Sequence, residues 1–365
     1  MNEQILKGAM VGLQHLHPRG YMMLFQECKD AGIACAYDPD PEILKTFCDE
    51  FGLRGYTDLD RMLAEEELGL AVIFLPHSDC AEAATKCARQ GLHLMVEKPG
   101  SNTVAGVRQI AAVADECGAK FTTGYCWRYH PVVQAMKEIV AQGKIGKLVS
   151  IEARLSAGRV ERYLVGNSAW ILEKEKSGGG PMYNLGVHWL DLIDYVTGES
   201  VAEVCATNLH TSDVYDIEDS SLVLMKFASG AAGVLTTSYI VPDSFPCGRD
   251  LYLGFRGTEG VLSYSPRYEG EQGGAATVDT LELYSSSPKM DGSAAQKYSF
   301  QLDPVAGYSG YMGKAYVEGF LDAIRQGTEP DIPADAAVSV LQTVEAIYES
   351  DAKKQWIEIA AAQQP

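Results

Sequence analysis

The sequence predicts an α/β protein in which an N-terminal doubly wound parallel sheet is followed by a C-terminal α/β domain with a mostly antiparallel sheet. The first third of the chain alternates short apolar runs with amphipathic helical stretches, as parallel sheets with crossover helices do. From Val149 onward, β-branched runs joined by turn signals dominate. The 365 residues are 46% apolar and 22% charged, so the chain can form two or three globular domains.

The first sheet is predicted from five apolar runs. These runs are Leu6 to Val11, Ile33 to Tyr37, Leu70 to Leu75, His93 to Val96 and Phe121 to Thr123. The amphipathic segments between them include Pro41 to Phe51 and Asp79 to Gln90, and Gly91 stands where a helix favours a C-terminal glycine. We therefore expect a first domain at 1–122 and a second domain at 123–365.

The second sheet is predicted from six further β-rich segments. These segments are Val201 to Thr207, Ser220 to Phe227, Gly233 to Tyr239, Leu251 to Phe255, Val261 to Tyr264 and Leu281 to Tyr284. The Gly- and Ala-rich stretch 270–277 is expected to be a loop. Two long helical patterns, Tyr311 to Arg325 and Ala334 to Ser350, close the chain.

Composition argues against several classes of partner. The chain has 30 Lys and Arg residues against 49 Asp and Glu, and its net charge of -19 repels nucleic-acid phosphates and anionic lipid. No run approaches the ~20 apolar residues of a membrane span, and the start lacks a signal-peptide pattern. We expect a cytoplasmic protein without a nucleic-acid or membrane partner. The nine cysteines form no CxxC pair, so we expect buried free thiols rather than a zinc site or a disulfide framework.

Two residues in the first domain indicate a dinucleotide. Gly12 follows the first strand, where a dinucleotide fold would have three glycines, and only this one is in place. Asp38 ends the second strand, 26 residues later, where a carboxylate accepts ribose hydroxyls and repels a 2′-phosphate. This favours NAD over NADP. The alternatives are an ordinary strand-to-helix turn and an aspartate that caps the turn before Pro39.

The fourth of the apolar runs ends in Glu97-Lys98-Pro99. Ligands of an open parallel sheet bind beyond the carboxyl ends of its strands, so Lys98 would point into the crevice and could take part in proton transfer. The alternative is an exposed loop lysine.

A second polar set follows three glycines, Gly178 to Gly180, and Pro181, which suits a first helical turn. Helical spacing puts Asn184, His188 and Asp191 on one face, opposite an apolar face. A histidine on a helix is often only structural, but its polar neighbours and the preceding glycines make a proton-transfer role about as well supported.

These motifs together resemble the glucose-fructose oxidoreductase, inositol dehydrogenase and rhizopine-catabolism (Gfo/Idh/MocA) family, over essentially the whole chain. The resemblance rests on six segments in the family's order. They are Glu97 to Pro99, Gly124 to Pro131, Gly143 to Leu148, Trp170 ahead of Gly178 to Gly180, Gly186 to Asp191, and Gly319 through Pro330 to Ser350.

The resemblance implies an N-terminal Rossmann domain and a C-terminal α/β domain with a large, mostly antiparallel open sheet, one face of which mediates oligomerisation while the other faces a polyol, sugar or ring alcohol. Lys98 matches the family's lysine near the nicotinamide, and His188 matches its catalytic histidine. Asn184 stands where most members carry aspartate. The Lys98–Pro99 bond is expected to be cis. Gln14 and His17 replace small residues of the pyrophosphate loop, so their side chains are expected to touch the cofactor.

The predicted site consists of catalytic, NAD-binding and substrate-binding residues. The catalytic residues are Lys98, His188 and Asn184. The residues expected to bind NAD are Gly12, Gln14, His15, Asp38, Pro76, His77, Glu97, Lys98, Trp127 and Trp170. The substrate-binding residues are Lys98, Trp127, Arg128, Asn184, His188 and Tyr239, and no metal site is expected.

The leading hypothesis is an NAD-dependent oxidoreductase that oxidises a secondary ring alcohol of a sugar, glycoside or cyclitol, with C3 of a glycoside as the narrower expectation. Trp127, Trp170, Tyr239 and Tyr308 would stack on a pyranose or an aglycone, although aromatic core packing explains them equally well. The alternatives are a glycosidase that retains NAD and works by transient oxidation and elimination, and a non-catalytic NAD-binding sensor. A homo-oligomer is expected.

Overall fold

A computed structural model describes residues 5–164, 167–242, 244–266, 268–269, 274–275 and 278–360. Its contacts divide the chain into two compact units. The first consists of Met1–Cys126, Tyr163–Gly178 and Val305–Val338, and the second of Trp127–Arg162, Gly179–Pro304 and Ser339–Pro365. The first division point thus lies four residues beyond the predicted boundary, and each unit combines segments that are distant in sequence.

The first unit is built on a six-stranded parallel sheet with the strand order β3-β2-β1-β4-β5-β6. The elements up to residue 123 are β1 Leu6–Val11, α1 Pro18–Glu27, β2 Ala31–Tyr37, α2 Pro41–Phe51, β3 Arg54–Tyr56, α3 Leu59–Glu65, β4 Leu70–Ile73, α4 His77–Arg89, β5 His93–Val96, α5 Val104–Glu116 and β6 Phe121–Thr123. The five predicted strands are confirmed to within two residues. The order reverses between β1 and β4, which is where doubly wound sheets bind their ligands.

The second unit is built on a nine-stranded sheet with the order β16-β15-β12-β11-β7-β10-β9-β8-β17. The remaining elements are α6 Pro131–Ala141, β7 Leu148–Ala157, α7 Lys174–Ser177, α8 Val187–Thr197, β8 Val201–Leu209, β9 Ser220–Phe227, β10 Ala232–Ser238, β11 Arg249–Gly257, β12 Gly260–Tyr264, β13 Tyr268–Glu269, β14 Gly274–Ala275, β15 Val278–Ser285, β16 Ala295–Gln301, α9 Tyr311–Gln326, α10 Ala334–Lys353 and β17 Ile357–Glu358. Every neighbouring pair in the nine-stranded sheet is antiparallel except β7 and β10. The mostly antiparallel prediction is therefore confirmed.

Several strands have no counterpart in the prediction. β3 has three residues, two of them exposed. β16 has no buried residue, so it lacks the apolar signal on which strand prediction depends. β7 was missed although it is central, between β10 and β11, because it alternates buried residues with polar ones such as Glu152 and Arg154. Within the expected loop 270–277, residues 274–275 form a two-residue strand, and the others lie outside the described residues.

The sheet of the second unit has one face covered by helices. Helix α8 packs against β7 and α6, and the indole of Trp189 donates a hydrogen bond to the Tyr252 carbonyl at 2.7 Å. On β9 and β10 the alternate residues point away from this core, and Leu222 and Leu224 remain about half exposed (47% and 49%). The sheet thus presents apolar side chains on both faces, as the sequence predicted for β9.

The cysteines test the expectation of buried free thiols. All nine cysteines are free, and Cys35, Cys80, Cys87 and Cys126 are buried. Cys117 is exposed, so the expectation of uniformly buried thiols was wrong: it lies at the carboxyl end of α5, where the apolar face of the helix has ended.

Among the described residues, no helix has the length and apolarity needed to cross a membrane.

Candidate active site

The segment after β1, residues 12–17, will be called the coenzyme loop. Gly12 adopts φ +85°, and a Cβ placed on it would lie 2.7 Å from the Leu75 backbone nitrogen. Only glycine is tolerated in that conformation and space. The Gly12 amide donates a hydrogen bond to the Tyr37 carbonyl at 2.8 Å, which ties the loop to the end of β2. The backbone therefore leaves β1 in the tight turn that a dinucleotide-binding loop requires.

Asp38 is fully buried and organises this loop. Its carboxylate accepts hydrogen bonds from the Leu13 amide at 2.7 Å, the Asp40 amide at 2.9 Å and the Gln14 side-chain amide at 3.1 Å. Burial raises the pKa of Asp38, and the three hydrogen bonds oppose that shift. The bond to Asp40 is the predicted turn cap. The bond to Gln14 shows that the side chain in place of a small residue reaches the neighbouring strand end.

Trp170 and His77 lie beside the coenzyme loop within the first unit, and His15 belongs to the loop itself. The Trp170 indole donates a hydrogen bond to the Gln14 carbonyl, and its ring lies 4.8 Å from the His77 ring, edge to face. His77 Nδ1 is 2.8 Å from the Ser177 carbonyl, and burial lowers the pKa of His77 to about 4. Burial also lowers the pKa of His15, whose ring lies 6.0 Å from that of Trp170. Both histidines are thus neutral at pH 7.

Pro76 directly precedes α4 at the carboxyl end of β4, and Glu97 and Lys98 follow β5 at the neighbouring position. The side chains of Glu97 and Lys98 are 1% and 3% exposed, with Lys98 Nζ 4.0 Å from the Glu97 carboxylate. The alternative of an exposed loop lysine is therefore excluded. The Lys98–Pro99 peptide bond is cis, which confirms the prediction.

His17 extends this cluster. Its Nδ1 lies 3.2 Å from the Glu97 carboxylate, and its ring lies 3.8 Å from the Tyr308 ring. The ligand atoms of His15, His17 and Glu97 lie within 4.8 Å of one another, a donor set that a divalent cation accepts. The ammonium group of Lys98 beside the same carboxylate disfavours a second cation there. The expectation that no metal binds stays a prediction.

In the second unit, residues 179–182 will be called the glycine segment. A Cβ on Gly180 would lie 1.9 Å from the Glu218 carbonyl oxygen, so no other residue fits there. The Glu218 carboxylate accepts hydrogen bonds from the amides of Gly180 at 2.9 Å and Met182 at 3.4 Å, and from the Tyr348 hydroxyl at 2.6 Å. Burial raises the pKa of Glu218. The sequence analysis did not include Glu218. The sequence signal for it is an acidic residue shortly before the β-rich run Ser220 to Phe227.

The predicted catalytic helix begins with a π-turn at Met182–Gly186 and continues as α8. The regular α-helical spacing assumed for Asn184, His188 and Asp191 was therefore wrong at its start, because a π-turn adds a residue to the turn. All three side chains are buried. The Asn184 side-chain amide donates a hydrogen bond to the Tyr239 hydroxyl at 2.9 Å.

Asp191 is paired with Arg128. The Arg128 guanidinium donates to both carboxylate oxygens of Asp191, at 2.6 to 3.1 Å, and also lies 4.8 Å from the Tyr195 ring centre. Burial raises the pKa of Asp191, and Arg128 opposes the shift. This contact holds α8 in place, so Arg128 has a positioning role. The predicted contact between Arg128 and the substrate stays a prediction.

The four aromatic residues singled out in the sequence pack against other rings or side chains. Trp127 lies edge to face with Trp189 at 5.2 Å and stacks on His130 at 5.9 Å. In the first unit, the ring of Tyr308 stacks on that of Tyr21 at 5.3 Å. Tyr239 is 1% exposed and lies 5.6 Å from the Arg162 guanidinium. Aromatic core packing therefore accounts for a large part of this set.

The structure thus collects the predicted residues in two groups. The first unit holds Gly12, Gln14, His15, Asp38, Pro76, His77, Glu97, Lys98 and Trp170. The second unit holds Trp127, Arg128, Asn184, His188 and Tyr239. The first group offers a glycine turn, a buried carboxylate and a buried lysine at the switch point of a doubly wound sheet. The second offers a buried histidine and an amide on one helix, the residue types needed for proton transfer and for hydrogen bonding a hydroxyl.

Comparisons with known proteins find a family match in each half of the chain. Residues 6–125 match the model described as oxidoreductase family, NAD-binding Rossmann fold, and residues 133–263 match the GFO/IDH/MocA C-terminal domain. The chain is 23% identical over 372 residues to a D-apiose dehydrogenase of Rhizobium rhizogenes, covering 99% of both chains. It is 26% identical over 306 residues to D-xylose 1-dehydrogenase (NADP(+)) 2 of Haloferax volcanii, covering 83% of this chain and 84% of that one.

A solved structure has the same fold. The WlbA dehydrogenase from Bordetella pertussis, crystallised with NADH and UDP-GlcNAcA, superposes with a TM-score of 0.81 at 19% identity, over 98% of this chain and all of that one. The two domain matches and the whole-length relatives therefore agree with the predicted fold class. The chain belongs to the Gfo/Idh/MocA family and is an NAD(P)-dependent oxidoreductase.

Proposed function

We propose that the protein oxidises a secondary ring alcohol of a sugar, glycoside or cyclitol with NAD, and that C3 of a glycoside is the favoured position. The observation that carries the proposal is the burial of two groups able to handle the substrate proton, Lys98 and His188, which are 2% and 7% exposed. Both lie inside the matched domains, and relatives are named for apiose and xylose. A sugar hydroxyl is therefore the substrate group that best fits these residues.

In the proposed reaction, His188 accepts the hydroxyl proton as general base while Lys98 donates a hydrogen bond to the oxygen as negative charge develops on it. NAD, when bound, supplies the acceptor for the hydride that leaves the same carbon with its two electrons. The alcohol becomes a ketone, and the proton remains on His188 until it passes to water. Asn184 orients the hydroxyl, because an amide can donate and accept a hydrogen bond but cannot take the proton.

The coenzyme loop and the carboxylate of Asp38 fit a dinucleotide. Gly12 provides the turn that a Cβ would fill, and Asp38 provides the buried carboxylate for the ribose. We propose that NAD binds at least about tenfold more tightly than NADP, since a 2′-phosphate beside a carboxylate should cost more than about 1.4 kcal/mol. Calorimetric titration of cofactor-free protein with each dinucleotide tests this, and equal affinities would contradict it.

Turnover of a panel of methyl glycosides, free sugars and cyclitols, followed by NADH absorbance, tests the reaction. His188→Ala should lower turnover by about 10² to 10⁴ while NAD affinity is kept. Lys98→Ala should lower turnover comparably and also weaken NAD binding. If both variants turn over every substrate as fast as the parent, the assignment fails. Release of an aglycone without net NADH would favour the NAD-retaining glycosidase instead.

Asn184→Asp tests the departure from the family pattern. If Asn184 only orients a hydroxyl, the carboxylate should retain or raise dehydrogenase activity. If the pocket needs the amide donor, which now bonds the Tyr239 hydroxyl, activity should be lost because a buried donor is replaced by an acceptor. Parent, Asn184→Asp and Asn184→Ala should be compared at several pH values, since only the aspartate introduces a titrating group.

We also propose a homo-oligomer joined through the outer face of the nine-stranded sheet. The support is the row of half-exposed apolar side chains at Leu222, Leu224 and Val234, on a face that a soluble monomer rarely leaves open. Light scattering at micromolar protein should report a multiple of the 39.6 kDa chain mass. A mass near 40 kDa would contradict the proposal.

A further inference from the structure

The side-chain amide of Asn184 has a direction, unlike a carboxylate. The two oxygens of a carboxylate are equivalent, whereas an amide has one acceptor oxygen and one donor nitrogen, and a half-turn of the group exchanges them. A substrate hydroxyl held by Asn184 therefore meets the correct atom only if the protein fixes both the backbone and the amide group of this residue. The contacts that fix them lie in the second unit.

The amide group of Asn184 is oriented by Tyr239. Its nitrogen donates a hydrogen bond to the Tyr239 hydroxyl at 2.9 Å, and both residues are buried. Tyr239 is in turn held by the segment between β8 and β9, because its backbone amide donates to the Asp219 carbonyl at 2.9 Å. The place of the hydroxyl that Asn184 meets therefore depends on residue 219.

The backbone of Asn184 is held by the same segment, through the glycine segment. The Asn184 amide donates to the Gly180 carbonyl at 3.2 Å, and the Gly180 amide donates to the Glu218 carboxylate at 2.9 Å. The Met182 amide donates to the other carboxylate oxygen at 3.4 Å. Two neighbours in the chain, Glu218 and Asp219, thus hold the backbone of Asn184 and the partner of its side chain.

Tyr348 on α10 completes this network. Its hydroxyl donates to the Glu218 carboxylate at 2.6 Å, and its ring lies 5.3 Å from the ring of Tyr183. A Cβ on Gly179 would lie 2.0 Å from the Tyr348 hydroxyl oxygen, so the glycine segment passes directly over this side chain. Burial and the neighbouring carboxylate raise the pKa of Tyr348, which keeps its hydroxyl protonated and able to donate.

A carboxylate at residue 218 suits this arrangement because it only accepts hydrogen bonds. Glu218 accepts from two backbone amides and one hydroxyl at the same time. Burying a carboxylate costs free energy, which these three hydrogen bonds offset. The proposed reaction uses neither Glu218 nor Tyr348, yet both act on the backbone that leads into Asn184.

We propose that Glu218 and Tyr348 are positioning residues for the reaction, which hold Asn184 so that its amide meets the substrate hydroxyl in one orientation. The proposal rests on the proposed function, because that function assigns the hydroxyl to Asn184. Neither Glu218 nor Tyr348 touches the substrate in this scheme. Loss of either contact should lower kcat, because a displacement of about 1 Å in a positioned group can reduce the rate by up to about 10².

A double-mutant cycle on the intact protein separates positioning from a general loss of stability. Glu218→Gln and Tyr348→Phe should each lower kcat at least about fivefold in the parent. In Asn184→Ala each should lower kcat less than about twofold, because the side chain that they position is already absent. An equal factor in both backgrounds, or an unchanged kcat in the parent, would overturn the proposal. Tyr348→Phe removes a single hydroxyl, so it keeps the test decisive if Glu218→Gln fails to fold.

Tyr264→Phe is the matched control. The Tyr264 hydroxyl also donates to a buried carboxylate of the second unit, that of Asp279, at 2.8 Å. This pair joins β12 to β15 rather than the glycine segment to α10. Whatever factor Tyr264→Phe costs in kcat should therefore be the same in the parent and in Asn184→Ala. If this variant depended on Asn184 as strongly as Tyr348→Phe does, the proposal would be overturned.

NMR spectroscopy separates this proposal from the proposed function. If no substrate is oxidised, the proposed function fails, and the side-chain amide signals of protein that carries nitrogen-15 in its asparagines then decide the positioning role. The chain has five asparagines, so loss of a signal pair in Asn184→Ala identifies Asn184. These signals should shift in Glu218→Gln and Tyr348→Phe and stay in place in Tyr264→Phe. Unchanged signals in the first two variants, or an equal shift in all three, would overturn the proposal.

Discussion

The coenzyme loop and the glycine segment both bind a buried carboxylate, but they differ in how closely the backbone is packed around it. Each leads towards a helix, and each binds a buried carboxylate from a distant strand end through backbone amides: Leu13 with Asp38, and Gly180 with Glu218. In the glycine segment the backbone approaches so closely that a Cβ would clash with the Glu218 carbonyl. In the coenzyme loop only Gly12 is required, and Gln14 adds a side-chain donor to Asp38.

The two regions differ because, in the coenzyme loop, a side chain that replaces a small residue supplies a hydrogen bond of its own. A carboxylate has about four acceptor positions, and Asp38 fills three of them with donors from its own loop and turn. Gln14 replaces a small residue and becomes one of these donors. The glycine segment has no such freedom, because its space is already occupied by Glu218 and Tyr348. We therefore expect substitutions to cost much more in the second region than in the first.

The largest effect is expected from Gly180→Ala. A methyl group 1.9 Å from the Glu218 carbonyl requires the backbone to move, so we expect a loss of about 3–5 kcal/mol in unfolding free energy and loss of activity. Urea unfolding followed by tryptophan fluorescence measures this. Gly32→Ala is the control, since a Cβ there has no atom within 4 Å and should be neutral or slightly stabilising. Equal stability of the two variants would contradict the steric restriction at Gly180.

Asp194 extends the comparison to a half-buried carboxyl that, among the described residues, accepts hydrogen bonds from hydroxyl groups alone. Ser339 and Ser200 donate to it at 2.8 and 3.2 Å, and burial, with a smaller contribution from Asp191, raises the pKa of Asp194 to about 7. A carboxyl with a raised folded pKa stabilises the protein at low pH. That stability is lost as the pH rises from about 4 to 7.

Asp194→Asn should therefore equal the parent in stability near pH 4 and exceed it by roughly 2–4 kcal/mol at pH 8, where the parent has a buried charge. The amide oxygen can still accept from Ser339, so the contact itself is kept. Thermal unfolding at several pH values checks this. A stability difference that does not change between pH 4 and pH 8 would contradict the assignment.

Glu218→Gln should have an intermediate effect. The glutamine can offer only one acceptor oxygen, so its amide nitrogen would face one of the donors from Gly180, Met182 or Tyr348. We expect a loss of about 1–3 kcal/mol, the cost of a buried unsatisfied group. Tyr348→Phe removes one donor only and should cost less. Urea unfolding of both variants checks the order, and the reverse order would show that the backbone donors matter little.

The smallest effect is expected from Gln14→Ala. It removes one partly buried hydrogen bond and leaves the two backbone donors on Asp38, so we expect a loss of about 0.5–1.5 kcal/mol. Gln14→Glu should cost more, because it brings a second carboxylate beside Asp38. Chemical unfolding of the two variants at pH 7 tests this. If Gln14→Ala lowered the free energy of unfolding as much as Gly180→Ala, the expected difference between the two regions would be contradicted.

Much of the fold was predictable because it is encoded locally. The apolar runs of β1, β2, β4, β5 and β6 follow from burial on both faces of a parallel sheet, which leaves few polar positions to obscure them. The motif around Lys98 and the helix that bears His188 were located by residue type and order. β7 and β16 were missed because half or more of their residues face outward, so their composition does not differ from that of loops.

The α/β class, the family, and the identity of the buried lysine and histidine follow from the amino-acid sequence, because each depends on residues that are close neighbours in the chain. The partners of the buried polar residues follow from the folded chain instead. Asn184 meets Tyr239 across 55 positions, Glu218 meets Gly180 across 38, and Arg128 meets Asp191 across 63. Such pairs depend on strand order and on a π-turn that no local spacing encodes, since their hydrogen bonds are strong only in the low-dielectric interior that the folded chain creates.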